Sequence, residues 1–299
     1  MKKILLTICA PNKDEAKKWG DYYFALSLGE EFKKYSYDYK ISAMDEWSSE
    51  GNTYDIHLHL RGLRKYPFKK KAKVNVIWHI SHPESISLDE YYDFDLIFVA
   101  SLKLAKVLQD LVKKPLYPLL QASNPKFFFY QNDKKFRNDL IFIGNTKGFY
   151  REVVKFAVDA GFSLKIWGKG WQKYIDTKYL EAEFFPNNQL RLLYSSAKIV
   201  LNDHWSDMSE NGFISNRIFD VLASGGFVIT DYVRGIEEVF GKTVICYYTA
   251  LDFKEKVFYY LNCEGERKEL SENGRNLILR NHTFAHRVEF IIDKINKET

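Results

Sequence analysis

The sequence predicts an α/β protein built from two doubly wound domains that face a central cleft. Short apolar runs alternate with stretches of helical periodicity twice along the 299 residues, and a polar segment over residues 122–138 separates the two series. Several apolar runs are continuous, which is typical of parallel strands covered on both faces. A chain of this length also accommodates two domains more readily than one.

The first series contains six predicted strands and two predicted helices. Ser101 is the expected N-cap of the second helix, which ends before Pro115. The predicted strands are Lys3–Cys9, Tyr39–Ala43, Asp55–Leu60, Val74–Ile80, Leu96–Ala100 and Leu116–Leu120, and the predicted helices are Trp19–Lys34 and Leu102–Val112.

The second series follows the polar segment and ends in an amphipathic helix. We therefore place one Rossmann-like domain at residues 1–124 and a second at residues 125–282, with the helix in residues 283–299 returning to the first domain. The predicted strands are Leu140–Ile143, Ser163–Trp167, Lys198–Asn202, Phe227–Thr230 and Val244–Tyr247, and the predicted helices are Gly148–Ala160, Asn188–Ser195, Ser215–Ala223, Leu251–Leu261 and Thr283–Lys297.

Composition and charge indicate the expected cellular location of the protein and its expected partners. No stretch approaches the roughly 18 apolar residues of a membrane span, and the apolar run at the start is too short for a signal peptide. Three scattered cysteines fit a reducing cytosol. The expected location is the cytoplasm, with possible peripheral contact at the inner face of a membrane.

That contact would run through Arg61–Lys73, a stretch with only basic charges in a chain of net charge +5. An anionic lipid surface or a polyanionic acceptor fits such a stretch, and a solvated loop is the alternative. Nucleic acid is not the expected partner, because no recognised nucleic-acid module accompanies the basic residues.

Polar groups, glycines and tryptophans follow the predicted strands. In parallel sheets ligands bind beyond the carboxyl ends of the strands, so these residues are candidate ligand contacts. The Gly168-Lys169-Gly170 turn lacks the third glycine of a dinucleotide fingerprint and is either a simple turn or a close approach to a ligand. The residues after the strands include Asp21, His79, His82, Gly144, Asn145, Trp167, Gly168, Lys169, Trp171, Asn202, Asp203 and His204.

The start of the predicted helix Ser215–Ala223 is a candidate anion site. Asn216, Arg217 and Asp220 lie in its first turns, where backbone N–H groups and the helix dipole favour negative charge. The five-donor fork of Arg217 suits a diphosphate. A surface ion pair is the alternative reading for Arg217, and an exposed helix acid is the alternative for Asp220.

These residues carry a resemblance to a known family. Residues 212–220 together with residues 225–231 resemble the donor-site signature of CgeB-like (spore-maturation-protein-like) glycosyltransferases of the GT-B class. Further blocks resemble the same family, so the likeness spans nearly the whole chain. The blocks are Trp19–Ala25, Trp78–Pro83, Phe142–Thr146, Ile166–Trp171, Asn202–His204 and His282–Arg287.

The resemblance implies transfer of a sugar from a nucleoside-diphosphate sugar to an acceptor hydroxyl, without a metal or cofactor, in glycan or cell-surface polymer synthesis. The C-terminal domain would hold the donor, with a UDP-sugar favoured, and the N-terminal domain would hold a glycan, lipid-linked or other acceptor. The predicted donor-binding residues are Gly144, Asn145, Trp167, Gly168, Lys169, Trp171, Asn202, Asn216, Arg217 and Asp220.

Within that framework, Arg217 would stabilise the leaving diphosphate and Asp220 would bind the ribose. Trp167 or Trp171 would pack on the base or sugar. Asp21 is the first choice of general base and His82 the second, although a helix-start acid interacting with the dipole is the plain alternative for Asp21.

One position departs from the pattern of many GT-B relatives. Gly212 stands eight residues before Asp220, where those relatives place an acid, and this favours inversion of the anomeric centre. Two other classes remain open from the sequence: a nucleotide-sugar epimerase of similar form and a non-catalytic sugar-binding protein.

Overall fold

The computed structural model describes residues 2–49, 53–67, 71–146 and 148–298, and it divides the chain into two compact units. The N-terminal unit comprises Met1–Gln121, Trp205–Ile214 and Thr283–Thr299, and the C-terminal unit comprises Ala122–His204 and Ser215–His282. None of the helices in the described ranges has both the length and the apolar content that a bilayer crossing requires.

Strands and helices alternate along both units. The strands in the described residues are β1 (Lys2–Thr7), β2 (Tyr37–Ser42), β3 (Tyr54–Arg61), β4 (Ala72–His79), β5 (Leu96–Val99), β6 (Leu116–Pro118), β7 (Leu140–Ile143), β8 (Leu164–Trp167), β9 (Leu180–Ala182), β10 (Ile199–Asn202), β11 (Val228–Asp231) and β12 (Ile245–Tyr247). The helices are α1 (Lys13–Ala16), α2 (Gly20–Lys33), α3 (Leu88–Tyr92), α4 (Leu102–Leu111), α5 (Glu152–Asp159), α6 (Leu190–Ser196), α7 (Ser206–Glu210), α8 (Asn216–Ala223), α9 (Ile236–Phe240), α10 (Ala250–Asn262), α11 (Glu264–Asn281) and α12 (Phe284–Glu298).

Each unit is built on one parallel sheet. Within the described residues the N-terminal sheet has six strands in the order β2-β1-β3-β4-β5-β6, and the C-terminal sheet has six in the order β12-β11-β10-β7-β8-β9. All paired neighbours run parallel. The predicted fold class, two doubly wound α/β units, is confirmed, and every predicted strand is present within a few residues of its expected bounds.

The last helix and a ten-residue internal segment both pack in the N-terminal unit. Phe284 at the start of α12 meets the ring of Phe24 edge-on at 4.7 Å. The segment Trp205–Ile214 contributes Met208 and Phe213 to the core of the same unit. The predicted boundaries assign this segment to the second domain, residues 125–282, but its buried Met208 and Phe213 pack in the core of the first unit.

A buried ion pair supports the loop after β3. Arg61 is 1% exposed, and its Nε donates to Oε1 of Glu90 at 2.7 Å. The guanidinium also donates to the carbonyl oxygens of Gly62 and Ser85. Removing one partner of such a pair would leave an uncompensated buried charge.

The predicted basic stretch Arg61–Lys73 is therefore not a uniform cationic surface. Arg61 and Lys71 are buried, while Lys69 and Lys70 lie outside the described residues. Two further lysines make ion pairs, Lys65 with Asp93 at 3.3 Å and Lys73 with Asp55 at 2.8 Å. Membrane contact through this stretch stays a prediction.

Three histidines of the N-terminal unit are fully buried. His57 and His59 lie on β3, and each places a ring nitrogen 2.9 Å from Oγ1 of Thr7. His79 ends β4 and bonds the hydroxyl of Tyr91 at 2.8 Å. Burial lowers the pKa of His57 and of His79 to about 3 and lowers that of His59 well below its usual value. All three side chains are therefore neutral in the folded protein at neutral pH.

These histidines predict a loss of stability in mild acid. Below pH 6.5 the unfolded chain binds protons that the folded chain excludes, so the free energy of unfolding falls with pH by about 1.4 kcal/mol per pH unit for each histidine. Replacing His79 by Gln removes one of the groups that bind these protons in the unfolded chain. The test is the free energy of unfolding, measured with urea at several pH values between 6.5 and 5. We expect it to fall less steeply with pH in this variant than in the unmodified protein, by about 1.4 kcal/mol per pH unit. Equal slopes in that window would contradict the prediction, and slopes measured above pH 7.5 serve as the internal control.

Candidate functional site

The order of strands identifies one edge of the C-terminal sheet as the place for a ligand. Counted from β7, the sheet order corresponds to 3-2-1-4-5-6, the order of the dinucleotide-binding fold, whose ligands lie where the strand order reverses. Here the reversal falls between β7 and β10, which pair in parallel from Leu140 to Phe142 of β7. The predicted Gly144 and Asn145 follow β7, and the predicted Asn202 is the last residue of β10.

The loops after β7 and β8 are bonded to one another. The backbone N–H of Gly144 donates to the carbonyl of Trp167 at 2.8 Å, and the N–H of Lys169 donates to Oδ1 of Asn145 at 2.8 Å. Gly168 has φ +152°, and a Cβ built on it would lie 2.1 Å from the carbonyl oxygen of Gly144. The glycine is therefore required for the two loops to approach this closely.

The two predicted tryptophans support these loops from within the core. Trp171 is 0% exposed, and its indole N–H donates to the carbonyl of Gly144 at 2.8 Å. Its ring packs edge-on against Phe142, and Trp167 is 6% exposed. The expected stacking of Trp171 on a base or sugar does not fit this placement, because its ring has no exposed face. Trp167 has little exposed area for the same purpose.

Arg217 lies directly at the reversal of strand order. Its Nη1 donates to Oδ1 of Asn202 at 3.1 Å, and its guanidinium lies 5.5 Å from the ring centre of Phe142. A Cβ built on Gly144 would lie 3.3 Å from Nη2 of Arg217. The absence of a side chain at position 144 thus leaves room for the cation above the end of β7.

A second ion pair accompanies Arg217 at this edge. Arg151 forms a buried pair with Asp203, the residue after β10, and its Nε donates to Oδ2 of Asp203 at 2.9 Å. Burial lowers the pKa of Arg217, while Tyr194 and Asp203 favour its charged form. Because Asp203 is taken up by Arg151, Arg217 keeps positive charge available for an anion.

Asp220 faces inward from α8. Its side chain accepts from the hydroxyl of Ser123 at 2.7 Å and from Nδ2 of Asn216 at 2.9 Å, and the residue is 8% exposed. Burial raises the pKa of Asp220 to about 8, although both hydrogen bonds and Arg217 oppose this rise. The residue is thus a largely neutral helix anchor at pH 7, and its predicted contact with ribose is not supported by this placement.

The remaining donor-site predictions stay predictions. Lys169 is exposed, so its side chain is accessible from solvent. One amide hydrogen of Asn216 is taken up by Asp220, and its Oδ1 has no hydrogen-bond partner in the described part of the chain. Asn216 and Arg217 begin α8, whose first backbone N–H groups have no partner within the helix.

The N-terminal unit gathers polar groups at its own reversal of strand order, between β1 and β3. Around Gly62, which follows β3, a built Cβ would lie 3.4 Å from Oγ of Ser81, 3.7 Å from Oδ2 of Asp21 and 4.0 Å from Sγ of Cys9. Burial, together with the nearby charge of Asp21, raises the pKa of Cys9. The predicted base Asp21 is therefore at the carboxyl edge of this sheet.

His82 belongs to the same cluster. Its Nδ1 lies 3.0 Å from Oγ of Ser81, and its backbone adopts φ +56°, a conformation that is uncommon outside glycine and recurs at functional sites. His79 belongs instead to the core. Within the described residues, no group of three or more His, Cys, Asp or Glu side chains is arranged to hold a metal ion.

Several residues at the donor edge were not predicted as site residues. Arg151 precedes α5, and Tyr194 and Thr230 lie in apolar runs with no visible polar pattern. His204 and Asp231 lie in sequence blocks that resemble the family, but no role is predicted for their side chains. Their side chains bond each other at 2.7 Å, a pairing across 27 positions that spacing alone does not indicate.

The C-terminal part of the chain is similar to a glycosyltransferase-like family. Residues 147–293 match the family model described as "Glycosyl transferase-like". The spore protein CgeB of Bacillus subtilis (strain 168) is 26% identical over 212 residues, a match that covers 64% of this chain and 66% of CgeB, just under two thirds of its length. The resemblance to CgeB-like glycosyltransferases is therefore confirmed.

Solved structures with the same fold cover the whole chain. Sucrose-phosphate synthase from Thermosynechococcus elongatus has a TM-score of 0.69 at 10% identity, with 100% of both chains covered. The T4 phage BGT bound to UDP-glucose has a TM-score of 0.63 at 14% identity, over 100% of this chain and 99% of that one. An alpha-glucosyltransferase in complex with UDP-glucose and DNA has a TM-score of 0.66 at 12% identity, with 97% of this chain and 98% of that one covered. The predicted GT-B fold is confirmed.

The loop contact at Gly168 predicts a specific loss of stability. Gly168→Ala places a Cβ against the carbonyl of Gly144, so we expect it to lower the free energy of unfolding by more than about 2 kcal/mol. Gly161→Ala is the matched control. Gly161 also has positive φ, +74°, but a Cβ there meets nothing within 4 Å. That change should cost about 1 kcal/mol. If urea unfolding shows the same loss of free energy of unfolding for both variants, the contact with the carbonyl of Gly144 adds no cost beyond that of the positive φ.

Proposed function

We propose that this protein transfers a sugar from a nucleoside-diphosphate sugar to an acceptor hydroxyl. The observation that carries the proposal is the position of Arg217. A cation lies at the reversal of strand order, above a glycine, at the start of a helix of eight residues. These features together favour binding of the diphosphate that becomes the leaving group.

The comparisons support UDP as the nucleotide. The T4 phage BGT and the alpha-glucosyltransferase share this fold and were solved with UDP-glucose or UDP. We infer that the present chain binds a UDP-sugar in its C-terminal unit, with the loops after β7 and β8 next to the nucleotide.

Transfer without a metal is part of the proposal. As the sugar leaves, negative charge develops on the diphosphate. Arg217 and the first amides of α8 supply fixed positive potential for it. Lys169, exposed in the loop after β8, is the second cation that we assign to the diphosphate.

The N-terminal unit supplies the acceptor side of the proposed reaction. Asp21 is the group that we assign to remove the proton from the acceptor hydroxyl in an inverting transfer, because its carboxylate lies near Gly62 at the carboxyl edge of the sheet. His82, bonded to Ser81, is the alternative base. A glycan or lipid-linked acceptor at a cytoplasmic membrane surface fits the proposal, and DNA, present in some neighbouring structures, is the competing acceptor.

Nucleotide binding tests the donor site. We expect UDP to raise the thermal midpoint by mass action and to bind equally well with and without EDTA. Arg217→Ala should weaken UDP by at least about tenfold, since a charge-assisted hydrogen bond contributes roughly 1.5–3 kcal/mol. Arg217→Lys should recover part of the affinity, because it restores charge but not the planar fork.

Arg280→Ala is the matched control for this measurement. Arg280 is an exposed arginine of α11 in the same unit, and its removal should leave the dissociation constant of UDP unchanged in calorimetric titration. Loss of UDP binding on chelation would contradict metal independence. Failure of the unmodified protein to bind UDP, GDP, CMP and dTDP sugars would contradict the proposed function.

Turnover tests the base. Asp21→Asn should lower the rate of UDP release from UDP-glucose, measured over a panel of hydroxylated acceptors, by roughly 10²-fold or more while leaving the affinity for UDP unchanged. Asp110→Asn, an exposed acid of α4, is the control. Full turnover in Asp21→Asn with loss in His82→Asn would assign the base to His82. A donor-only incubation that yields an isomerised nucleotide sugar would identify an epimerase instead.

A further inference from the structure

A histidine of the C-terminal unit has both ring nitrogens engaged. The side chain of His204 is 0% exposed. Its Nε2 lies 2.9 Å from the backbone nitrogen of Ser215, and its Nδ1 lies 2.7 Å from Oδ1 of Asp231. A backbone N–H only donates, so Nε2 is the unprotonated nitrogen and Nδ1 carries the proton that Asp231 accepts. The partners thus fix one neutral tautomer.

Asp231 fixes the direction of a second set of hydrogen bonds. The hydroxyl of Thr230 donates to Oδ1 of Asp231 at 2.9 Å, which leaves the oxygen of Thr230 able only to accept. Nδ2 of Asn202 therefore donates to it, at 2.9 Å. This orients Oδ1 of Asn202 toward Arg217, whose Nη1 donates at 3.1 Å.

The two sets of bonds form one chain of contacts, and the covalent backbone from Ser215 to Arg217 closes this chain into a ring. One end is the backbone N–H of Ser215, the residue that precedes α8, and the other end is the guanidinium of Arg217, the second residue of that helix. Burial works against ionisation of Asp231, but the electrostatic interaction with His204 and the bonds from His204 and Thr230 outweigh it and hold the pKa of Asp231 below the usual value. An anionic Asp231 is the acceptor on which both sets of bonds converge.

A histidine–aspartate pair is often a proton-transfer unit, in which the second ring nitrogen faces the substrate. That role does not fit here, because Nε2 of His204 is occupied by the N–H of Ser215 and the ring has no exposed surface. The pair therefore acts through the groups that it holds in place, which are the backbone N–H of Ser215 and the hydroxyl of Thr230.

We propose that His204 and Asp231 are positioning residues that set the guanidinium of Arg217, relative to the start of α8, for binding the diphosphate of the donor. Nothing in the comparisons assigns either residue a role. The inference takes its ligand, the diphosphate, from the proposed function, but the hydrogen bonds of the ring form in the protein without a ligand. Its test therefore needs a measurement in the free protein as well as one with UDP.

The variants separate the two bonds of the histidine. His204→Asn retains a donor near Asp231 but does not reach Ser215, whereas His204→Gln places an oxygen where Nε2 accepts. We expect each variant to weaken UDP about tenfold, the effect of roughly one hydrogen bond, because each breaks the ring at one of the two bonds of His204. His286→Asn is the matched control. His286 also accepts from a backbone N–H at a helix start, that of Thr283, but it belongs to the N-terminal unit.

A double-mutant cycle shows whether the effect passes through Arg217. If it does, His204→Asn should change UDP affinity by less than about twofold when Arg217 is already alanine, because contacting groups in one network are not additive. Equal weakening in both backgrounds, or no weakening in the unmodified background, would overturn the proposal.

The measurement without ligand uses the Nε–H resonance of Arg217 in nuclear magnetic resonance, assigned by its loss in Arg217→Lys. We expect increased mobility of this group in His204→Asn and unchanged mobility in His286→Asn. If the unmodified protein bound no nucleotide, the proposed function would fail, and this measurement would still decide the positioning role. An immobile Arg217 in His204→Asn would overturn it.

Discussion

Pairing of β7 with β10 is the constraint on which the candidate donor site depends. The chain adds β8 and β9 on one side of β7, and β10, β11 and β12 on the other. The strand order therefore reverses between β7 and β10, and the loops beyond their carboxyl ends diverge to leave a crevice. Gly144 and Asn202 come to one place for this reason alone. Arg217 then reaches that place from α8 and lies close to Gly144, where an added Cβ would be 3.3 Å from its Nη2.

Much of the fold follows from patterns that the sequence displays openly. The continuous apolar runs predicted every strand except β9, which is short and mostly exposed. The long helix α11 was missed for a physical reason. It is polar over most of its surface and buries only Arg267, Gly274 and Ile278, so it has no apolar stripe. A Cβ on Gly274 would lie 2.7 Å from a methyl group of Leu222, which shows that close packing against α8, rather than periodicity, holds this helix.

The candidate site was predictable in part. Strand ends and the helix start correctly brought Gly144, Asn202 and Arg217 together, because local patterns decide where parallel strands stop. Burial of individual side chains was not predictable in the same way. Trp171 and Asp220 have the chemistry of ligand contacts, but tertiary packing turns one toward the core and bonds the other to Ser123. The ring through His204 joins distant positions, and no local pattern encodes it.

The segment Trp205–Ile214 has a consequence for any attempt to divide the protein. Its neighbours His204 and Ser215 are joined by a hydrogen bond in the C-terminal unit, yet Met208 and Phe213 belong to the core of the N-terminal unit. A fragment cut at residues 122 and 282 would carry these two apolar side chains without their core and would expose them to water. Excision of residues 205–214 with a short linker between His204 and Ser215 is the rational way to express the C-terminal unit alone.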